Sequence, residues 1–181
     1  ERYAASAPVR NRWYRCTERT GAPARNLALE HAEGTWLLFL DEDLLAGATL
    51  VEEHVQAQER HGGRCAIRGS IQHHPQVDPR VLTRWYELPP VTEFRPEQPL
   101  RFLDWRAFNL SLPREPVLEA GGFDQDPNLD GAEDLELAWR LEQAQLRGFF
   151  TDEATAFSWR PTTVQSQVAF YYNLGYALRN L

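Results

Sequence analysis

WLLFLDEDLL, residues 36–45, runs five large apolar residues into three consecutive acids, Asp41, Glu42 and Asp43. Thr35–Leu40 is continuously apolar rather than alternating. That predicts a strand buried on both faces, as in parallel sheets. The acids then lie at its carboxyl end, where an open α/β sheet places its ligand. In an extended chain residues two apart point the same way, so Asp41 and Asp43 converge and Glu42 points elsewhere. Two hard oxygen ligands on one side suit Mg²⁺ or Mn²⁺, especially when phosphates complete the shell. A solvated acidic turn accounts for the same residues.

Upstream, Pro23 suits the first turn of a helix through Ala24, Leu27, Ala28 and His31, with Gly34 as its stop. Downstream, a helix from about Thr49 to His61 ends at Gly62 and Gly63, and Arg64–Ser70 reads as another strand. The Pro-rich stretch 72–100 reads as a long irregular excursion. Phe102–Leu112 is strand-like, and Pro113–Ala120 is a short helix closed by Gly121 and Gly122. Residues 130–148 carry a helical stripe of Leu137, Ala138, Leu141 and Ala144, with Glu136 and Arg140 able to pair on the outer face. Phe149–Phe157 reads as strand with a turn at Asp152. Residues 162–181 form a last helix with Phe170, Tyr171, Tyr172 and Tyr176, expected to pack on a core or an interface. Helices alternating with buried strands predict an α/β domain with a largely parallel sheet.

The 181 residues suffice for one domain with a core. The net charge is −7, and all 19 basic residues are arginine. The acidic balance argues against a nucleic-acid partner. Cys16 and Cys65 show no pair spacing, and the expected compartment is reducing, hence cytoplasmic. No apolar run is long enough to span a bilayer. The chain has no methionine, so it is read as beginning inside a longer protein.

A second acidic site opens the helix near residue 133. Asp130 can act as N-cap with Glu133 closing a capping box, and acids in a first turn suit the helix dipole. Asp134 is less well explained that way. It stands one turn before Ala138 and in line with Leu141, at the lip of the core, where a carboxylate can serve as general base for a hydroxyl. A phosphatase of the haloacid-dehalogenase-like kind, with an Asp nucleophile, also needs a lysine, which the chain lacks. A transferase gripping a nucleotide diphosphate through a metal fits better. A binding or interaction module is the third class.

Three segments, ARNLALEHAEGTWLLFLDED (24–43), FNLSLPREPVLEAGGFD (108–124) and GAEDLELAWRL (131–141), resemble in order and spacing an inverting glycosyltransferase of the GT-A fold, family 2. The resemblance implies a nucleotide-diphosphate-sugar-transferase-like α/β domain, a mostly parallel sheet flanked by helices, with residues 1–181 a single partial domain lacking its first strand, helix and strand. It implies Asp43 as metal ligand with help from Asp41, Mg²⁺ or Mn²⁺ as cofactor, and Asp41, Arg25 and Asn109 at the nucleotide sugar. It implies Asp134 as catalytic base, and Glu133, Gly122 and Asp124 on the acceptor side. The donor is then a nucleotide-diphosphate sugar and the acceptor a saccharide, a lipid-linked saccharide or a small molecule. Homo-oligomers and peripheral attachment to the inner face of a membrane are compatible with it. Many members carry a late His that completes the metal site, and Ser158 stands at that place. A degenerate, non-catalytic nucleotide-sugar binder is the alternative.

Overall fold

The structure, a computed structural model, describes residues 11–18, 20–74, 76, 94–159 and 164–179. Much of the excursion at 72–100 and both ends of the predicted last helix lie outside them. Helix α1 (Gly21–His31) leads into strand β1 (Trp36–Leu40), the acidic turn and strand β2 (Leu44–Ala46). Helix α2 (Leu50–Arg60) and strand β3 (Cys65–His73) follow, then strand β4 (Pro99–Leu100) and a 3-10 turn at Phe102–Asp104. Strand β5 (Asn109–Pro113), helix α3 (Arg114–Glu119), helix α4 (Glu133–Gln143), strand β6 (Arg147–Ser158) and helix α5 (Val164–Leu178) complete the order.

The α/β reading holds, with one change in the sheet. The strand order is β1-β5-β3-β6-β2, with β4 also on β6. Only β3 and β6 pair parallel; β5 runs antiparallel between β1 and β3, and β2 and β4 run antiparallel to β6. The sheet is therefore mixed rather than largely parallel, because β5 re-enters it against its neighbours' direction. β5 is buried along its whole length, all five residues enclosed between β1 and β3. β1 has one sheet neighbour among the described residues and buries only Leu37, so the two-sided burial expected from its apolar run is not what forms.

Other boundaries shift for local reasons. Phe102–Leu112 is not one strand: the 3-10 turn and a short connection precede β5. Asp130 does not cap α4. The cap position is Ala132, without a side-chain bond, and Glu133 is already helical. The apolar stripe of α4 holds at Leu137, Ala138 and Leu141, which join the core with Leu110, Leu112, Trp105 and Phe150, whereas Ala144 is exposed past the helix end. Glu136 and Arg140 do pair, at 2.5 Å, but not on an outer face, since Glu136 is buried. The turn expected at Asp152 appears as an irregularity in β6. The Asp152 carbonyl there accepts from the hydroxyls of Ser70 and Thr155. On α5, Tyr171, Tyr172 and Tyr176 are 52%, 74% and 52% exposed, so these rings do not form core.

Candidate active site

The acidic turn follows β1, closed by the Leu44 N–H donating to the Asp41 carbonyl at 3.1 Å. Glu42 is exposed, while Asp41 and Asp43 are half-buried. Burial pushes the Asp41 carboxyl above its usual range. Arg25 pulls it down, and Asp43, Glu42 and Asp134 push it up again. The last of these places the second acidic motif within electrostatic reach of the first.

Arg25 joins the two motifs. Its guanidinium lies 3.6 Å from Asp41 Oδ1 and 2.5 Å from Glu133 Oε1, and it also sits over the Phe123 ring at 5.6 Å. Glu133 turns its other oxygen to the Gly131 N–H at 2.7 Å. So Glu133 braces its own helix start and anchors Arg25.

Asp134 is buried and held on both oxygens. Oδ2 accepts from Arg106 Nε at 2.9 Å and from the Ala107 N–H at 3.1 Å; Oδ1 accepts from the Leu135 N–H at 2.9 Å. A carboxylate has about four lone-pair sites, so these three bonds leave one on Oδ1 for a proton. Arg106 in turn lies 5.9 Å from the Phe108 ring centre, on which Arg68 also packs at 5.4 Å.

The Gly121-Gly122-Phe123-Asp124 turn is fixed from two sides. The Asn26 amide donates to the Phe123 carbonyl at 2.8 Å and accepts from the Phe123 N–H at 2.9 Å. Arg140 donates to the Ala120 and Gly122 carbonyls. Gly122 has φ +76°, and a Cβ there would meet Asn26 Oδ1 at 2.7 Å. Both facts require glycine. Asp124 is exposed and accepts from the Asp126 N–H at 2.9 Å. Phe123, edge-on to Phe39 at 5.4 Å, links this turn to β1.

Asn109 lies elsewhere in character. It is fully buried, and its amide is spent inside the fold. Nδ2 donates to the Ser70 and Ala154 carbonyls, each at 2.9 Å, so Oδ1 is the acceptor facing His54 Nε2 at 2.9 Å. A Cβ at Gly69 would lie 2.4 Å from the Asn109 amide, which shows how closely β3 passes it. In this structure Asn109 ties β3, β5, β6 and α2 together rather than facing a ligand. The bonding fixes the neutral tautomer of His54, with its proton on Nε2 and Nδ1 accepting from Ser111 Oγ at 3.1 Å. Burial lowers the His54 pKa, and the bond to Asn109 opposes that.

Position 158 does reach the acidic turn. Ser158 pairs in register with Leu44 of β2, and the Trp159 N–H donates to the Asp43 carbonyl at 3.1 Å. No group of three or more His, Cys, Asp or Glu side chains arranged to hold a metal occurs among the described residues. Two neighbouring carboxylates, one of them made more basic chiefly by burial and further by its acidic neighbours, fit a hard dication only if further oxygen ligands come from outside the protein. Arg106, Asn26 and Arg140 were not identified from sequence as site residues. Asn26 lies inside the quoted ARN segment and could have been; Arg106 carries no spacing signal at all.

The fold has counterparts among known proteins. The fold resembles that of the mannosyltransferase PcManGT from Pyrobaculum calidifontis, solved with GDP-Man and Mn²⁺, at 20% identity and TM-score 0.62 over 91% of this chain and 44% of that one. It also resembles S. aureus TarS 1-349 in complex with UDP-GlcNAc, at 15% identity and TM-score 0.58 over 87% of this chain and 46% of that one. The chain thus spans less than half the length of either. No match was found among curated proteins. The sequence model described as Glycosyl transferase family 2 matches residues 1–111, which contain Arg25, Asn26, Asp41 and Asp43. With most of the chain matched and the fold in agreement, the chain belongs to glycosyl transferase family 2.

Proposed function

We propose that the chain is the catalytic part of an inverting glycosyltransferase that moves a sugar from a nucleotide-diphosphate sugar to an acceptor hydroxyl. The observation that carries this reading is the Arg25 bridge between Asp41 and Glu133, which puts two acidic motifs from distant parts of the chain at one place. Asp43 and Asp41 are the residues that would hold Mg²⁺ or Mn²⁺. When bound, the ion supplies charge neutralisation at the leaving diphosphate. Arg25 orients Asp41 on the donor side. Asp134 takes the proton of the acceptor hydroxyl on Oδ1, Arg106 and the Ala107 N–H keep the carboxylate aimed, and the hydroxyl oxygen attacks the anomeric carbon from the face opposite the leaving group. Such a single displacement inverts the anomeric configuration. Glu133, Gly122 and Asp124 border the acceptor side. The donors carried by the two structural relatives, GDP-mannose and UDP-N-acetylglucosamine, are the first to try.

The test is calorimetry with each donor in Mg²⁺ or Mn²⁺, followed by mass-spectrometric detection of released nucleotide diphosphate and glycosylated product. Asp134→Asn should abolish transfer and leave donor binding largely intact. Transfer that survives in Asp134→Asn removes the assigned base. If wild type binds donor without turning it over against any acceptor, the non-catalytic binder replaces the enzyme reading.

A further inference from the structure

The strand end that meets Asp43 carries aromatic side chains that the proposed chemistry does not use. Trp159 follows β6 and is 48% exposed, yet it is fixed. Its N–H is bonded to the Asp43 carbonyl, and its ring packs on His74 at 4.5 Å. His74 is itself held by its own N–H to the Ser158 carbonyl at 3.0 Å and by the Gln76 N–H donating to Nδ1 at 3.2 Å. The same ring makes a T-shaped contact with Phe157 at 6.2 Å. Because His74 touches both Phe157 and Trp159, these two side chains share one face of the strand, as period-two alternation requires. Leu45 is the cross-strand partner of Phe157 and is 47% exposed on the same face. With Nδ1 accepting from Gln76, the His74 ring carries its proton on Nε2, a donor on a ring 4.5 Å from the indole.

A flat, half-exposed indole held through its backbone N–H and against the tilted His74 ring, which carries an N–H donor, suits a flat apolar face bordered by hydroxyls. That is the chemistry of a pyranose ring, whose C–H face stacks on aromatics while its rim makes hydrogen bonds. We infer that Trp159, propped by His74, is a stacking subsite for a pyranose ring of the donor or of a saccharide acceptor. The inference rests on the glycosyltransferase reading above.

The experiment is a ¹⁵N NMR titration of the chain in Mg²⁺. The Trp159 indole signal is the one of six lost in Trp159→Phe. The probes are methyl α-D-mannopyranoside, methyl β-D-glucopyranoside, GDP-mannose, UDP-N-acetylglucosamine, and GDP and UDP alone. Movement of the indole signal with a pyranose-bearing probe but not with bare diphosphates supports the subsite. Movement with nucleotide sugars alone assigns the ring to the donor, and movement with a methyl glycoside assigns it to the acceptor. A signal that no pyranose moves, or that GDP or UDP moves equally, overturns it. The two readings fail separately. Nucleotide sugars that perturb the Asp41–Asp43 amides, with an indole signal that neither they nor a methyl glycoside move, sink the subsite but not the transferase. A glycoside that moves the indole while no nucleotide sugar binds does the reverse. Trp159→Ala should weaken the effective probe roughly three- to tenfold, as loss of one aromatic stacking contact implies, and Trp159→Phe by less.

Discussion

Arg106 Nε lies 2.9 Å from Asp134 Oδ2, and the two side chains are only 15% and 8% exposed. The proposed base is therefore half of a nearly dry ion pair. Removing one member of such a pair strands the other. Arg106→Met should cost about 2–3 kcal/mol, somewhat below the usual penalty because two backbone N–H groups still hold Asp134. Urea unfolding of the single variants and of Arg106→Met/Asp134→Leu measures this. The double variant should recover most of the loss, and two additive losses would show that the residues are not coupled.

Asn26 grips the Phe123 backbone through both ends of its amide. Asn26→Ala would leave an N–H and a carbonyl without these partners, at a cost of about 1–3 kcal/mol. Amide exchange at Phe123 should accelerate well beyond that in α2. Unchanged protection would mean that the Arg140 bonds to Ala120 and Gly122 hold the turn unaided.

Asp41 gives a pH signature. Its folded-state pKa is raised above the ordinary value of 3.8, chiefly by burial. The stability it contributes is full below that ordinary value and is lost as pH rises through the folded pKa. At neutral pH the ionised Asp41 is a net burden, so Asp41→Asn should raise the melting temperature at pH 7 and lose the gain below the ordinary carboxylate range. A gain that persists at pH 3 would refute the electrostatic cause.

His54 acts in a different window. Its folded pKa lies below the ordinary 6.5 because of burial. Its contribution is present above 6.5 and is lost as pH falls from there toward the folded value, because the unfolded chain takes up the proton first. Wild-type stability should therefore decline on acidification below about pH 6.5. His54→Gln, although less stable overall, should show a flatter profile there by thermal denaturation.

Ligand linkage tests the acidic turn. A nucleotide sugar with Mn²⁺ at a hundred times its dissociation constant should stabilise the folded chain by about 2.7 kcal/mol. Asp43→Ala should lose the metal-dependent part. A melting temperature that responds equally with and without metal in both proteins would take Asp43 out of the metal site.

Much of this protein is written locally. The apolar run ending in acids, the glycine stops of α2 and α3, and the stripe of Leu137, Ala138 and Leu141 follow from periodicity and backbone preference. These act over a few residues and so can be read along the chain. The motif segments likewise marked Asp41, Asp43 and Asp134 as one set of candidates. Pairing direction could not be read that way. Whether β5 runs with or against its neighbours depends on the path of the chain between strands, and only the folded sheet shows it to be antiparallel. The same holds for the contacts of polar side chains. Asn109 looks like a ligand residue in a motif, yet its amide is consumed by His54 and two carbonyls from other strands. Arg106 has no pattern around it, yet it holds the proposed base. A side chain's role is set by which distant groups desolvate it and bond to it, and those partners meet only in the tertiary structure.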